Sequence, residues 1–340
     1  MRLGVAFQGP TANAYYRAIY PMAQLERRGH TVHWPHRTAY DKVLAGVPPW
    51  DLLHLQQFVD DDNIAVVRRL RRAGVAVVWD TDDDLLSIPK GTPGYRRLGG
   101  RRKLKRVFAQ SVEIAREAHL LTTTNEHLAD LYRDAGVTHV AVIENYLGVL
   151  PAARTRQRRQ GVTVGIVAAH EHREDIAGLR IAEALRRVLD AVDDVTVLAI
   201  GVDLEIRHDR YTHRDAIPFT DLLSTLEAID VGLAPLIDTP FNRARSNIKL
   251  KEYAAAGAAW LASPIGPYAG AREAHGGLLV DDGGWEQAIL TLVNDPLKRR
   301  ELASAGRTWA QRQTIREGVG PWEVAFRDAV VRARREAAMR

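Results

Sequence analysis

Between Asp238 and Glu252 the sequence reads DTPFNRARSNIKLKE, which sets Asp238, Asn242, Arg243, Arg245, Ser246, Asn247, Lys249 and Glu252 within fifteen positions. The spacing predicts a helix over 247–256, with Ser246 as its N-cap and Gly257 just past its end. Free N–H groups and the helix dipole favour negative charge at such a start, and Arg245 and Lys249 add two cations. The chemistry that suits them is binding of an anion, and specifically of a nucleotide diphosphate. The same residues are also consistent with a capped surface helix carrying a Lys249–Glu252 pair at i,i+3. Asp238 and Asn242 are equally at home in a turn.

Four further stretches carry candidate chemistry. His170, His172 and Asp175 follow an apolar run and could address a phosphate or a metal, with Arg173 as a phosphate contact. The spacing HEH is not that of a zinc site, and Asp175 could simply cap a helix. Asp80, Asp82, Asp83 and Asp84 end another apolar run. They could bind a divalent ion, orient or deprotonate a substrate hydroxyl, Asp82 and Asp83 in particular, or be solvated loop charges. Gly9, with Pro10 and Thr11, allows close backbone approach to a ligand or a tight turn. Arg17, next to Tyr16 on the helix that follows, is a candidate contact to an anionic substrate. Asn125 reads as a cap, His127 as surface, and Glu144-Asn145 as a hinge or structural pair.

Seven cations fall between Arg96 and Arg106, among them Arg101 and Arg102. The whole chain carries only +5, so its basicity is local. This helix face points to an anionic partner or surface, or is a solvated face. It lacks interleaved aromatics, so base stacking is not signalled.

The elements that must position these residues alternate. Strands are expected at 3–7, 31–34, 52–56, 75–79, 120–123 and 140–143, with helices at 12–28, 64–73, 101–118 and 126–135 between them. After a polar, arginine-rich linker at 151–161 the pattern restarts. Strands are expected at 162–168, 195–200, 230–234, 259–263 and 278–280, and a short strand or loop near 210–217. Helices are expected at 175–190, 220–228, 268–274, 284–294 and 296–304, with a last helical region over 307–338. Alternation of this kind predicts parallel, doubly wound sheets. The domains expected are 1–150, 162–306, which carries the diphosphate segment, and a helical region over 307–340. A length of 340 residues with 46% apolar content supplies a core for each half. There is no cysteine, which excludes disulfides and thiolate metal sites. No apolar run is long enough to span a bilayer and the N-terminus reads as a strand, so a cytoplasmic protein is expected.

The sequence resembles the GT-B glycosyltransferases, most closely the broad family 4-like set. The resemblance rests on Asp230-Val231-Gly232-Leu233-Ala234-Pro235-Leu236, Phe241-Asn242, Arg245-Ser246, Lys249, Glu252-Tyr253, Gly257, Ser263-Pro264 and Pro267-Tyr268. Weaker signals are Tyr16-Arg17 and Asp80 to Leu85, and His172 with Asp175 matches a further family element. The resemblance implies two Rossmann-like domains with a cleft between them and a C-terminal helix that crosses back. It implies transfer of a sugar from a nucleotide-diphosphate donor, such as a UDP- or GDP-sugar, to an acceptor hydroxyl, with retention. Glu252 would bind the donor ribose, while Arg245, Ser246 and Lys249 would bind the diphosphate. No metal or other cofactor is implied. A family acid eight positions before Glu252 is replaced by Ala244, and Asp238 or loop backbone is expected to substitute. The acceptor side admits a membrane-linked glycan, with peripheral attachment, or DNA carrying hydroxylated bases. A non-catalytic nucleotide-sugar-binding protein is the rival reading.

Overall fold

The computed structural model describes residues 1–34, 50–97, 99–148, 150 and 161–340. The expected linker, Gly161 apart, lies outside the described residues.

The first sheet holds β1 (Arg2–Ala6), β2 (Thr31–His33), β3 (Leu52–Gln56), β4 (Ala76–Asp80), β5 (Leu120–Thr123) and β6 (Val140–Val142), in the order β2-β1-β3-β4-β5-β6. The second holds β7 (Val162–Ala168), β8 (Val195–Gly201), β9 (Tyr211–Arg214), β10 (Val231–Ala234), β11 (Ala259–Ala262) and β12 (Gly277–Leu279), in the order β12-β11-β10-β7-β8-β9. Every pairing is parallel. The central strands β3 and β4 are buried throughout, as continuous apolar runs covered by helices on both faces must be. Strand order reverses at β1/β3 in one sheet and at β7/β10 in the other. Crevices open at the carboxyl ends of such reversals.

Several helices differ from the sequence expectation. The run at 175–190 is two helices, Arg173–Gly178 and Ile181–Ala191, broken where Arg180 adopts φ 54°. Two short 3-10 turns, Gly266–Tyr268 and Glu273–His275, replace the helix near 268–274, where Gly266, Pro267 and Gly270 interrupt any helical run. The helix expected to stop at 304 runs from Pro296 to Gln311. Trp309 therefore belongs to it, and stacks on His275 at 4.7 Å.

That last helix, Ile315–Ala338, lies on the first sheet. Its Val319, Trp322, Phe326 and Ala329 are buried with Leu3, Val5, Met22 and Val78. The chain thus passes between domains twice, and the two passages are tied together. Leu147 N–H donates to Gln313 O (2.8 Å) and Ile315 N–H to Leu147 O (2.7 Å).

Candidate functional site

A cavity of about 970 Å³ opens between the carboxyl ends of the two sheets. The first domain lines it with residues 10–13, Tyr16, Asp82, Asp83 and Asn145. The second contributes residues 167–172, Arg245, Ser246, Lys249 and Glu252, and an apolar end that includes Ile200, Ile217 and Phe219.

Arg245 is the hub. Its Nη1 is 3.2 Å from Asp83 Oδ1 across the cleft, and its Nη2 donates to His172 Nε2 at 3.3 Å. His172 Nδ1 in turn bonds to Asp175 Oδ2 at 2.8 Å, which fixes the tautomer with Nε2 free to accept. Burial lowers the His172 pKa below its ordinary value. The Asp175 hydrogen bond opposes that shift and the Arg245 charge adds to it. The imidazole is therefore neutral near pH 7. Asp175 does not cap a helix. It is buried and also accepts from Ile237 N (3.0 Å) and Asn242 Nδ2 (2.6 Å), pinning the 236–242 loop to the 170–175 loop.

The helix of the opening segment is Ile248–Ala256, closed by Gly257 at φ 74°, a left-handed cap that glycine adopts without penalty. Its N-cap is Asn247, which makes no side-chain capping bond. Ser246 precedes the cap, and its hydroxyl oxygen accepts from Asn145 Nδ2 at 3.1 Å. The first-turn N–H groups thus lack a side-chain cap beside a cavity that Ser246, Ile248 and Lys249 line. One turn on, Glu252 Oε2 lies 3.1 Å from Lys249 Nζ and Oε1 accepts from Tyr16 Oη at 2.6 Å.

The whole segment is docked on the first domain. Asn125, which caps the helix Glu126–Asp134, also donates to Arg245 O (2.7 Å) and Arg243 O (3.2 Å). The buried Lys251 ammonium reaches Glu144 Oε2 (2.9 Å) and Asn145 O (2.8 Å). Ala244 is 1% exposed and belongs to the apolar cluster of the first domain. That contact explains the missing acid, since a carboxylate there would be buried without a partner. Ala244→Glu should cost about 3 kcal/mol in denaturant unfolding and expand the molecule in small-angle scattering. Wild-type values in both would contradict the docking.

Several sequence candidates do not face the cavity. Arg17 and Asp80 are both 0% exposed and pair with each other, with Arg17 Nη2 2.7 Å from Asp80 Oδ2. Arg17 also donates to Ile143 O, Asn145 Oδ1 and Thr123 O, and sits 4.7 Å over the Trp322 ring. Neither side chain reaches the cavity wall. Asp238 is half exposed, pairs with Arg243 (2.6 Å), and lines a separate hollow with Asn125 and His127, so it does not replace the acid at 244. Asn242 is a buried loop pin. Gly9, Arg173 and Asn247 are absent from the cavity wall, as are Arg101 and Arg102, which lie exposed at the start of the helix Arg101–Glu117. Asp84 ties a turn by accepting from Leu86 N and Ser87 N.

Asp82 and Asp83 do line the cavity. Burial holds the Asp82 pKa well above the carboxylate range, helped by the charges of Asp83 and Asp80 and opposed by those of Arg17 and Arg245. Gln57, not singled out in the sequence, donates its amide to Asp82 Oδ1 and, at 3.4 Å, to Asp83 Oδ2. It does so from a left-handed backbone, φ 57°. Nothing in its neighbourhood of sequence signals that conformation. Among the described residues no group of three or more His, Asp or Glu side chains is arranged to hold a metal ion, and no helix is long and apolar enough to cross a membrane.

No family model matches the chain, and no curated protein matches it. Solved structures do. HepE of Anabaena, in a structure with UDP and glucose, is 15% identical with a TM-score of 0.62, covering 100% of this chain and 99% of that one. An alpha-glucosyltransferase, in a structure with UDP and a 13-mer DNA containing an HMU base, is 11% identical with a TM-score of 0.67, covering 97% and 99%. TarM is 12% identical with a TM-score of 0.60. The match covers 81% of this chain and 54% of TarM, so this chain spans about half of it. At such identities the likeness is one of fold. Two parallel sheets facing across a cleft, a last helix that returns to the first domain, and superposition over nearly the full length show that this chain has the GT-B fold.

Proposed function

We propose that the protein is a glycosyltransferase that moves a sugar from a nucleotide-diphosphate donor to an acceptor hydroxyl. One observation carries the reading: Arg245, Lys249 and an uncapped helix start share a cavity wall with the Glu252 carboxylate. Cations and N–H groups suit a diphosphate, and a carboxylate a short step away suits ribose hydroxyls. The apolar end beside Ile217 and Phe219 leaves room for the base.

On this reading the bond between the anomeric carbon and the diphosphate breaks as the acceptor oxygen bonds to that carbon. The negative charge that develops on the leaving diphosphate is met by Arg245 and Lys249. A diphosphate competes with Asp83 for the Arg245 guanidinium, and so releases that carboxylate towards the acceptor. Asp83, the carboxylate so released, then takes the acceptor proton, and Asp82 beside it orients the hydroxyl. No side chain is assigned as a covalent nucleophile, in keeping with retention without a glycosyl-enzyme. The cationic side chains supply the charge a metal would, so turnover persists in chelator. The nucleotide sugar is the co-substrate, in a cytoplasmic protein that meets its acceptor at a membrane surface or in solution.

A thermal-shift screen across UDP-, GDP-, ADP- and CDP-sugars tests the donor. One of them should raise the melting temperature, since a ligand at 100 times its Kd stabilises by about 2.7 kcal/mol, and slow nucleotide release should follow. Binding without release would favour a non-catalytic nucleotide-sugar protein, and no shift from any donor would sink the proposal. The exposed cations of the helix Arg101–Glu117 suit an anionic acceptor. One structural neighbour was solved with DNA. Salt-dependent binding to duplex DNA against anionic vesicles separates a nucleic-acid acceptor from a membrane-linked one.

A further inference from the structure

We propose that Tyr16, in the first domain, is a positioning residue for nucleotide binding in the second. Its hydroxyl holds Glu252 Oε1, so that Oε2 is the oxygen presented to a ribose hydroxyl. The inference rests on the donor-site reading above and adds a residue that touches neither phosphate nor sugar.

The geometry is specific. Tyr16 Oη donates to Glu252 Oε1 at 2.6 Å, and both side chains are buried at the cavity wall. Glu252 Oε2 is buried, makes no well-aligned hydrogen bond, and has the Lys249 ammonium 3.1 Å away as its ion-pair partner. A carboxylate oxygen offers two lone-pair sites, so one acceptor position beside the cavity is left open. Burial, and then the adjacent Glu252 charge, raise the Tyr16 pKa well above its ordinary value. The hydroxyl therefore keeps its proton and can only donate to the carboxylate.

Tyr16 is aimed by the fold. It lies in a π-helical turn, Tyr15–Ile19, within the first helix, a rare local widening that is frequent at functional sites. Its ring meets Phe219 of the second domain edge-on at 5.1 Å and Tyr20 at 6.0 Å, while Tyr15 stacks on Phe219 at 4.7 Å. The hydroxyl reaches Glu252 only while the domains are closed on this aromatic contact. Without it, Glu252 is free to turn both oxygens to Lys249, which takes the lysine from the diphosphate and the carboxylate from the ribose.

The test is calorimetric binding of UDP, GDP, ADP and CDP, and of the 2′,3′-dideoxy form of whichever binds, to wild type, Tyr16→Phe, Glu252→Gln and the double variant. Tyr16→Phe keeps the ring contacts. It should weaken the ribonucleotide about tenfold, as loss of a hydrogen bond to a charged group does, while leaving the dideoxynucleotide unchanged. In the Glu252→Gln background it should add nothing. Phe219→Leu, which loosens the ring without touching its hydroxyl, should lower the same ribo-to-dideoxy ratio. Equal weakening of both nucleotides by Tyr16→Phe would show a structural role and overturn the inference. Unchanged or tighter ribonucleotide binding would also overturn it, and the donor site would stand if Glu252→Gln still abolished the ribose preference. Retention of that preference in Glu252→Gln, or no nucleotide binding by wild type, would overturn the donor-site reading and this inference together.

Discussion

Alanine at both Arg245 and Lys249 should lower donor turnover by at least about 1,000-fold while the unfolding midpoint moves by only a few degrees. The reason is where their charge does its work. Loss of a single preorganised group facing a developing anion costs roughly 100- to 1,000-fold, and here two are removed. The Arg245–Asp83 pair is 27% and 24% exposed, and an ion pair of that solvation contributes about 0–1 kcal/mol. Lys249 is 23% exposed but faces the 4%-exposed Glu252 carboxylate, so its removal costs more, about 3 kcal/mol, and turnover is measured well below the variant's unfolding midpoint. Steady-state turnover of the identified donor, with and without acceptor, reads the effect. The pair Asp238→Ala and Arg243→Ala is the control, since both side chains are half exposed and lie off the main cavity. Those substitutions should leave turnover unchanged. Wild-type rates in the Arg245/Lys249 variant would remove the anion site from the mechanism.

The second large effect is on stability. Arg17→Met should destabilise the protein by about 4 kcal/mol, as removal of one member of a buried ion pair does. Arg17 and Asp80 are both fully buried, and the Asp80 carboxylate accepts from Arg17 Nε and Nη2 as well as Thr122 Oγ1 (2.6 Å). Methionine fills much of the volume but leaves the Asp80 charge uncompensated. Adding Asp80→Asn removes that charge and should restore part of the loss, so the double variant is more stable than Arg17→Met alone. Urea unfolding of the four proteins closes the cycle. If the double variant is no more stable than the single, the pair is not the unit that matters.

These two predictions mark the difference between residues that look alike in the sequence. Arg17 and Arg245 both lie in segments that follow a strand towards the cleft, and each pairs with an acid of the 80–84 stretch. One pair, Arg17–Asp80, is turned inward under Trp322 of the returning helix, and the other, Arg245–Asp83, spans the cleft. Which way each side chain turns depends on elements hundreds of residues away, and no local pattern encodes it. Ser246 illustrates the same limit. Its residue type favours an N-cap, but Asn145 on the other domain claims its hydroxyl.

What the sequence by itself determined was the architecture and much of the second domain's share of the cavity wall. Short apolar runs alternating with helical segments placed eleven of the strands, because burial on two sheet faces demands apolar residues. Arg245, Lys249, Glu252 and Gly257 were legible because helix-start chemistry is local. The tertiary structure alone decided the rest: Tyr16 on Glu252, Gln57 holding Asp82 and Asp83, and Ala244 seated in the first domain's core. Each of those depends on the contact between two domains whose surfaces are far apart in the chain. Residue spacing carries information over a few turns of helix, and the energetics of that contact lie beyond it.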